Sequence, residues 1–239
     1  MRLLVEFLCR CGWGLAVALA ATPAALVPAG FFRANLLVVL GIASVAAFLA
    51  AAEVPGPAWA AAGIAAVAAW IGSIAWYAER VKAGMTTCRV TAVALAAATV
   101  LVTLRPGVAA AGEALASGLV VGLTVHAMLL GHWYLNAPGM SVAALRTMID
   151  WALAAWAVRL AITVAAALVG GAGPTIAGDT ATALLALRWL AGLVGLPVLL
   201  VMSRKTLDIP NTQSATGILY VACLAAILGE LTSQLLGAA

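Results

Sequence analysis

The chain of 239 residues is 66 % hydrophobic and only 8 % charged, with 12 Lys and Arg against 8 Asp and Glu, a net charge of +4. Soluble domains carry about a quarter charged residues and are about half apolar, so this composition excludes an ordinary soluble protein and a disordered chain. Its apolar runs are continuous rather than alternating, which excludes an outer-membrane barrel. The composition predicts an all-α fold, a polytopic integral membrane helix bundle.

Apolar runs long enough to cross a bilayer as helices, about 20 residues each, recur eight times along the chain. The fourth run is short for a full crossing. The breaks between the runs collect Arg, Glu, Pro and Gly, and none is long enough to fold as a separate domain. We therefore predict one transmembrane domain over residues 1–239. The predicted spans are 11–29, 35–52, 58–78, 90–104, 114–135, 147–170, 180–202 and 213–236.

The basic residues near the breaks predict the orientation of the chain. If successive breaks alternate between the two sides, one side carries seven Lys and Arg and the other carries three. Lys and Arg favour cytoplasmic loops, so both termini are expected outside the cytoplasm. The expected location is a bacterial inner (plasma) membrane. The positive charge is assigned to orientation, so no nucleic-acid partner is expected. The seven are Arg33, Arg80, Lys82, Arg89, Arg146, Arg204 and Lys205, and the three are Arg2, Arg10 and Arg105.

Cysteine and glycine spacing indicates helix packing. Cys9 and Cys11 are two apart and the other two cysteines stand alone, which is a weak metal pattern, so we expect all four to behave as small apolar residues. Gly118, Gly122 and His126 recur every four residues and lie on one face of the fifth predicted helix. Small residues let helix backbones approach in a membrane, so this face is expected to pack against another helix.

Five ionisable side chains of the last four predicted spans are candidate functional groups, because such residues are costly in lipid. Counting 1.5 Å per residue places His126 and Arg159 near the membrane centre and His132 near the cytoplasmic end. Arg188 and Glu230 come out level in the outer half, which predicts a structural ion pair because an unpaired charge there would be very costly. Arg159 has no acid at its expected level, so it binds either backbone and water or an acidic ligand.

The two histidines lie six residues apart on one helix, which turns them about 240° from each other, so they cannot both ligate one haem iron. Met can serve as a second axial ligand, and His132 lies near the expected level of Met148 and Met202. The alternative for His126 is a core imidazole bonded to a neighbouring carbonyl. For His132 the alternative is a belt of amphipathic rings at the membrane interface.

Two polar segments on the predicted cytoplasmic face are candidates for a common ligand pocket. Residues 131–146 are rich in donors and aromatic rings, and in residues 204–220 Asn211 or Thr212 is expected to cap the last helix. His132 is the candidate ligand of a haem iron, and arginines are expected at acidic or carbonyl groups of the ligand. The other candidate cofactor-binding residues are His126, Trp133, Tyr134, Arg146, Arg159, Met202, Arg204 and Gln213.

Two strings in this region, G-H-W-Y-L at 131–135 and Q-S-A-T-G-I-L-Y-V at 213–221, resemble segments of uncharacterised bacterial polytopic membrane proteins. The resemblance covers only the fifth to eighth predicted helices. It implies a multi-pass membrane protein and favours the polar pocket, but it carries over no activity, cofactor or functional residue.

Three functional hypotheses follow from these residues. Nucleophile-elbow, zinc-helix, P-loop and dinucleotide motifs are absent from the sequence, so a free-standing enzyme is not expected. The first hypothesis is a membrane subunit that binds haem b or quinone in a respiratory-type electron-transfer complex with protein partner subunits. The second is a small-solute transporter or channel that uses Arg159 and His126, against which stands the lack of a visible repeat or of broken helices. The third is a structural membrane anchor or assembly factor.

Overall fold

The structure, a computed structural model, describes residues 1–103, 107–137, 139–168, 178–209 and 211–238. These residues form helices and connecting turns and contain no strand, which confirms the predicted all-α class. Eight helical spans in this part of the chain are long and apolar enough to cross a membrane, as expected for a multi-pass protein. Arg105, which entered the predicted loop charge, and residues 170–177 of the break before the seventh span lie outside the described residues.

The seventh span in chain order is built from two α-helices joined by a π-helical segment, and each other span is a single α-helix. The bounds are α1 (Arg2–Ala21), α2 (Ala29–Glu53), α3 (Ala58–Tyr77), α4 (Val81–Val102), α5 (Val108–Asn136), α6 (Ala143–Leu168), α7 (Asp179–Leu187), the π segment (Arg188–Gly195), α8 (Leu196–Thr206) and α9 (Thr212–Ala238).

The largest differences from the predicted spans lie at the amino ends of two helices. Helix α1 begins at Arg2 rather than at residue 11, and α4 begins at Val81 rather than at residue 90. In both cases an arginine, Arg10 or Arg89, interrupted the apolar run in the sequence. A helix tolerates such a residue when its side chain is paired inside the bundle or reaches the interface. Helix α4 is therefore long enough for a full crossing, and Arg10 lies within a span instead of in a loop.

The eight spans form two rings of four helices with the same order of neighbours. In the first ring, α1 and α3 each pack against both α2 and α4. In the second ring, α5 packs against α6 and α9, and the seventh span packs against the same two helices. The rings meet mainly where α1 packs against α5. This similarity of the two halves was not visible in the sequence.

Glycines lie where α1 meets α5, so no side chains separate the two backbones there. A Cβ added to Gly14 would lie 1.9 Å from the carbonyl oxygen of Gly118, and one added to Gly122 would lie 2.1 Å from the carbonyl carbon of Gly14. Neither backbone leaves room for a methyl group. Further along the same pair of helices Thr22 contacts His126, so α1 and α5 run parallel. The predicted packing face of α5 is confirmed.

The four cysteines are free thiols packed into the bundle. Cys9, Cys88 and Cys223 are buried and Cys11 is half-buried. The Sγ of Cys223 donates to the carbonyl of Thr124 at 3.4 Å. They fill space between helices as small apolar residues do, as the sequence analysis expected.

Candidate functional site

Glu230 of α9 is a charged residue with no exposed surface. Its Oε1 lies 2.6 Å from Nη1 of Arg10 on α1, and its Oε2 lies 2.7 Å from Nη2 of Arg159 on α6. One carboxylate therefore connects three helices. Because α1 belongs to the first ring and α6 and α9 to the second, it also connects the two rings.

Polar neighbours complete the surroundings of Glu230. Ser117 Oγ on α5 lies 3.2 Å from Oε1, and Gln234 Nε2, one turn further along α9, donates to the same oxygen at 3.1 Å. Arg10 also pairs with Glu6 on its own helix. Two carboxylates and two guanidinium groups thus balance each other. The name Glu230 cluster refers below to Glu6, Arg10, Ser117, Arg159, Glu230 and Gln234.

The Glu230 cluster lies in the half of the bundle that contains both chain termini. Arg10 is eight residues from the start of α1 and Glu230 is eight residues from the end of α9. At 1.5 Å per residue each is about 12 Å from its helix end. Charges at that depth cost several kcal/mol unless they are paired, so the pairing is what makes these residues tolerable in the bundle.

The two arginines of the Glu230 cluster are not equally satisfied. Arg10 donates hydrogen bonds to both Glu230 and Ser117. Arg159 is 7 % exposed and contacts Glu230 without the alignment of a hydrogen bond, and Oε2 of Glu230 has no aligned donor. In the described part of the chain the Arg159 guanidinium has no other hydrogen bond. The Arg159 contact is therefore the less well aligned side of the bridge.

The predicted ion pair between Arg188 and Glu230 is wrong. Glu230 pairs with Arg10 and Arg159, whereas Arg188 is half-buried at the start of the π segment and forms no ion pair among the described residues. Depth along the membrane does not determine which faces of two helices meet. Arg10 was missed as a partner because it was placed in a loop. The expectation that Arg159 has no acid at its level is also wrong, since α6 starts earlier, at Ala143.

The seventh span changes helix type close to Glu230. Its π segment packs against α9, and a Cβ added to Gly192 would lie 3.0 Å from Cα of Gly229. Gly229 directly precedes Glu230 in the chain. Short π-helical stretches within α-helices are frequent at functional sites. The sequence showed no sign of this irregular helix.

His126 is enclosed in the core. Its Nε2 lies 2.7 Å from Oγ1 of Thr22, and the ring of Phe31 packs edge-on with centroids 5.3 Å apart. Thr22 also lies 3.6 Å from the sulfur of Met148. His126 is therefore a core imidazole, as one alternative had it, but its partner is a hydroxyl group instead of a carbonyl.

The candidate pocket residues of 131–146 face in different directions. His132 is exposed, and its Nδ1 lies 3.1 Å from the hydroxyl of Tyr220 on α9. Trp133 packs edge-on against Phe31 of α2, with ring centroids 5.7 Å apart. Tyr134 is buried and donates to a carbonyl of the following loop at 2.5 Å. The structure does not bring these three rings around one space.

The two candidate pocket arginines belong to surface ion pairs. Arg204 lies 2.9 Å from Asp150 and 3.4 Å from Asp208, and Arg146 lies 3.4 Å from Asp208. These pairs tie the start of α6 to the end of α8 and the turn that follows it. The remaining two candidates have exposed side chains: Met202 and Gln213.

The two methionines considered as partners of His132 lie in different surroundings. Met148 is fully buried beside Thr22, while Met202 is exposed on α8. Within the described ranges no three His, Cys, Asp or Glu side chains form a group that could hold a metal ion.

Known proteins offer no template for this arrangement. Comparisons of the chain with protein-family models, with curated protein sequences and with solved structures found no match. The resemblance of 131–135 and 213–221 to bacterial membrane proteins stays a prediction from sequence.

Proposed function

We propose that this chain is a transporter or channel for a small charged solute, and that the Glu230 cluster is the centre at which the solute, or a proton coupled to it, is bound. The observation that carries the proposal is the fully buried carboxylate of Glu230 between Arg10 of one ring and Arg159 of the other. A relative movement of the two rings would change which arginine holds the carboxylate. Ionisable residues inside a membrane bundle commonly mark ion and proton pathways.

The arrangement of the helices supports this proposal. Several transporters consist of two parallel repeats related by an axis along the membrane normal, with the binding site at the repeat interface. Here two rings with the same neighbour order meet along α1 and α5, and Arg10 and Ser117 stand at that junction. The π segment adds an irregular helix beside the site. The lack of a visible repeat and of broken paired helices argued against transport; the matching order of neighbours supports a repeat, and the π segment is an irregularity in one span.

A proton on Glu230 would change the charge of the cluster. As paired, the Glu230 cluster has no net charge, so protonation of Glu230 leaves one positive charge in excess. Arg188 and Glu113, which interact with each other next to the cluster, carry opposite charges and leave this excess unchanged. An anion entering beside Arg159 would compensate this excess, so we propose that a proton and an anion bind together. Arg159 is the partner that opens, because its contact with Glu230 is the less well aligned.

Proton-coupled flux in proteoliposomes tests this function. The purified protein is reconstituted with a trapped pH-sensitive dye, and inward gradients of chloride, nitrate and phosphate are applied in turn. We expect proton uptake with at least one anion and its loss in Glu230→Gln, which cannot ionise. Arg204→Gln removes a surface ion pair and is the matched control that keeps the flux. Equal flux in wild type and Glu230→Gln, in a correctly folded protein, would exclude this mechanism.

The haem b or quinone hypothesis stays a prediction that the described side-chain positions do not favour. A haem band or stoichiometric quinone in protein isolated from its native membrane, lost in His132→Ala, would support it over transport. A structural anchor would show neither cofactor nor flux in the wild type. One set of purified variants therefore distinguishes the three hypotheses.

We also propose a bacterial inner membrane location with both termini outside the cytoplasm. The seven Lys and Arg of the expected cytoplasmic side lie at the helix ends opposite the termini or within a few turns of them. On the termini side, Arg2 remains but Arg10 is buried in the bundle. Arg89 lies equally far inside α4, so neither is a loop charge; the six other basic residues of the expected cytoplasmic side still outnumber Arg2 and Arg105.

A further inference from the structure

One exposed face of α4 is basic near the start of the helix and apolar further along it. Lys82, Thr86, Arg89, Val93 and Ala97 follow one another at intervals of three or four residues, which places them on one face of the helix, and all five are exposed. The first part of this face, near the end of α4 opposite the termini, carries two cations. The remainder carries small or branched apolar side chains. In a membrane this face meets lipid instead of water.

A groove between α3 and α4 continues from the charged part of this face. Its walls include Ala61 and Ile64 of α3 and Val93 and Ala97 of α4, and Arg89 also lines it. The eight residues from Arg89 to Ala97 correspond to about 12 Å along the helix axis. The groove thus offers apolar walls for an extended hydrocarbon chain, with a guanidinium group towards one end.

The cations of this region have no ion-pair partner in the described part of the chain. Neither Arg89 nor Lys82 is among the residues that form ion pairs there. Arg33 and Arg80 lie at the same side of the first ring, where the nearby acid is Glu79. Long basic side chains extend toward the headgroup layer while their stems stay in apolar surroundings. The local charge therefore favours an anionic headgroup over a zwitterionic one.

We propose that the α3–α4 groove is a binding site for an anionic phospholipid, with an acyl chain along the apolar walls and the phosphate held by Arg89 and Lys82. Basic pockets between transmembrane helices on the cytoplasmic side bind anionic headgroups. The cations supply the charge complementarity that identifies this occupant, since an apolar partner helix would leave Arg89 without a counter-charge. The site lies in the first ring, away from Glu230, and it does not depend on the proposed transport activity.

Lipid binding to the purified protein tests the site. Bound lipid is counted by native mass spectrometry, and thermal unfolding is followed in detergent with added dioleoylphosphatidylglycerol or dioleoylphosphatidylcholine. We expect phosphatidylglycerol to be retained and to raise the Tm, and phosphatidylcholine to do neither. Arg89→Gln should lower the phosphatidylglycerol affinity about fivefold, the effect of one basic residue near a charged lipid surface.

Two further variants separate a built site from general surface charge. Arg204→Gln removes one basic residue from the same side of the protein but outside the groove, and it should leave phosphatidylglycerol binding unchanged. Ala97→Phe fills the groove from the lipid-facing side without altering charge, and it should also weaken binding. Equal losses in Arg89→Gln and Arg204→Gln, or equal binding of the two lipids by the wild type, would overturn the proposal. A dimer that Ala97→Phe dissociates would assign the groove to a second copy instead.

Discussion

Arg10 takes part in more ion pairs of the Glu230 cluster than any other arginine does. Arg10 contacts the carboxylates of both Glu6 and Glu230, whereas Arg188 makes no ion pair in the described chain. Removing one partner of a buried ion pair is expensive because the other charge stays buried without compensation. The stability of the bundle should therefore respond very differently to two chemically identical substitutions.

We predict that Arg10→Ala lowers the free energy of unfolding by about 3–5 kcal/mol, because it leaves Glu6 without its cation and Glu230 with only Arg159. Arg188→Ala should have a much smaller effect. Thermal unfolding of the two purified variants, compared with wild type, measures the difference. If both variants melted at the same temperature, the pairing described for Arg10 would not contribute to stability.

His126 shows what a sequence conveys about one residue and what it omits. Its position on the glycine-bearing face of α5 predicted a packed imidazole, and it is fully buried. Its partner, Thr22, lies just past the carboxyl end of α1. In the sequence Thr22 fell inside the first predicted span, where nothing pointed to α5. A hydrogen bond between residues 104 positions apart follows from the way two helices pack, which no local pattern specifies.

At the scale of helices, close backbone contact between α1 and α5 holds the two rings together. We predict that Gly122→Ala destabilises the protein by about 1–3 kcal/mol or more, since its Cβ would lie 2.2 Å from the backbone nitrogen of Leu15 and both helices would have to shift. Gly63→Ala is the matched control, because a Cβ there meets nothing within 4 Å. Thermal unfolding measures the stability of both variants. Similar melting temperatures would show that α1 and α5 can move apart at little cost.

The sequence predicted the centre of each helix better than its ends. Apolar length located all eight spans, and the carboxamide of Asn211 accepts the N–H of Ser214 at 3.0 Å, confirming the predicted cap of α9. The start of α1 was missed because Glu6 and Arg10 resembled loop residues. In three dimensions Arg10 pairs with both Glu6 and Glu230, and Arg159 balances the second carboxylate. The candidate site could not be predicted for the same reason, since its members come from four separate helices.

For the whole molecule, the distribution of basic residues predicts that both termini lie outside the cytoplasm. Alkaline phosphatase fused to the carboxyl end, which is active only outside the cytoplasm, should therefore be active. The same enzyme inserted after Asp208, in the turn between α8 and α9, should be inactive. The opposite pattern of activities would reverse the orientation and would place the lipid groove's cations on the outer side.

A shift of the π segment along the seventh span would rotate the part of the span that precedes it. A π-helical turn holds more residues than an α-helical one, and one residue of α-helix corresponds to a rotation of 100° and a rise of 1.5 Å. The extra residue of the π-helical turn can change position if backbone hydrogen bonds next to it exchange partners. The part of the span before it then turns about the helix axis, and most of its backbone hydrogen bonds are kept. Arg188, the first residue of the segment, would turn with α7. Gly192 and Gly229 meet without side chains, so no side chain at this contact would obstruct the rotation. Spin-label distances from α7 to α9, measured with and without chloride, nitrate or phosphate, would detect that rotation.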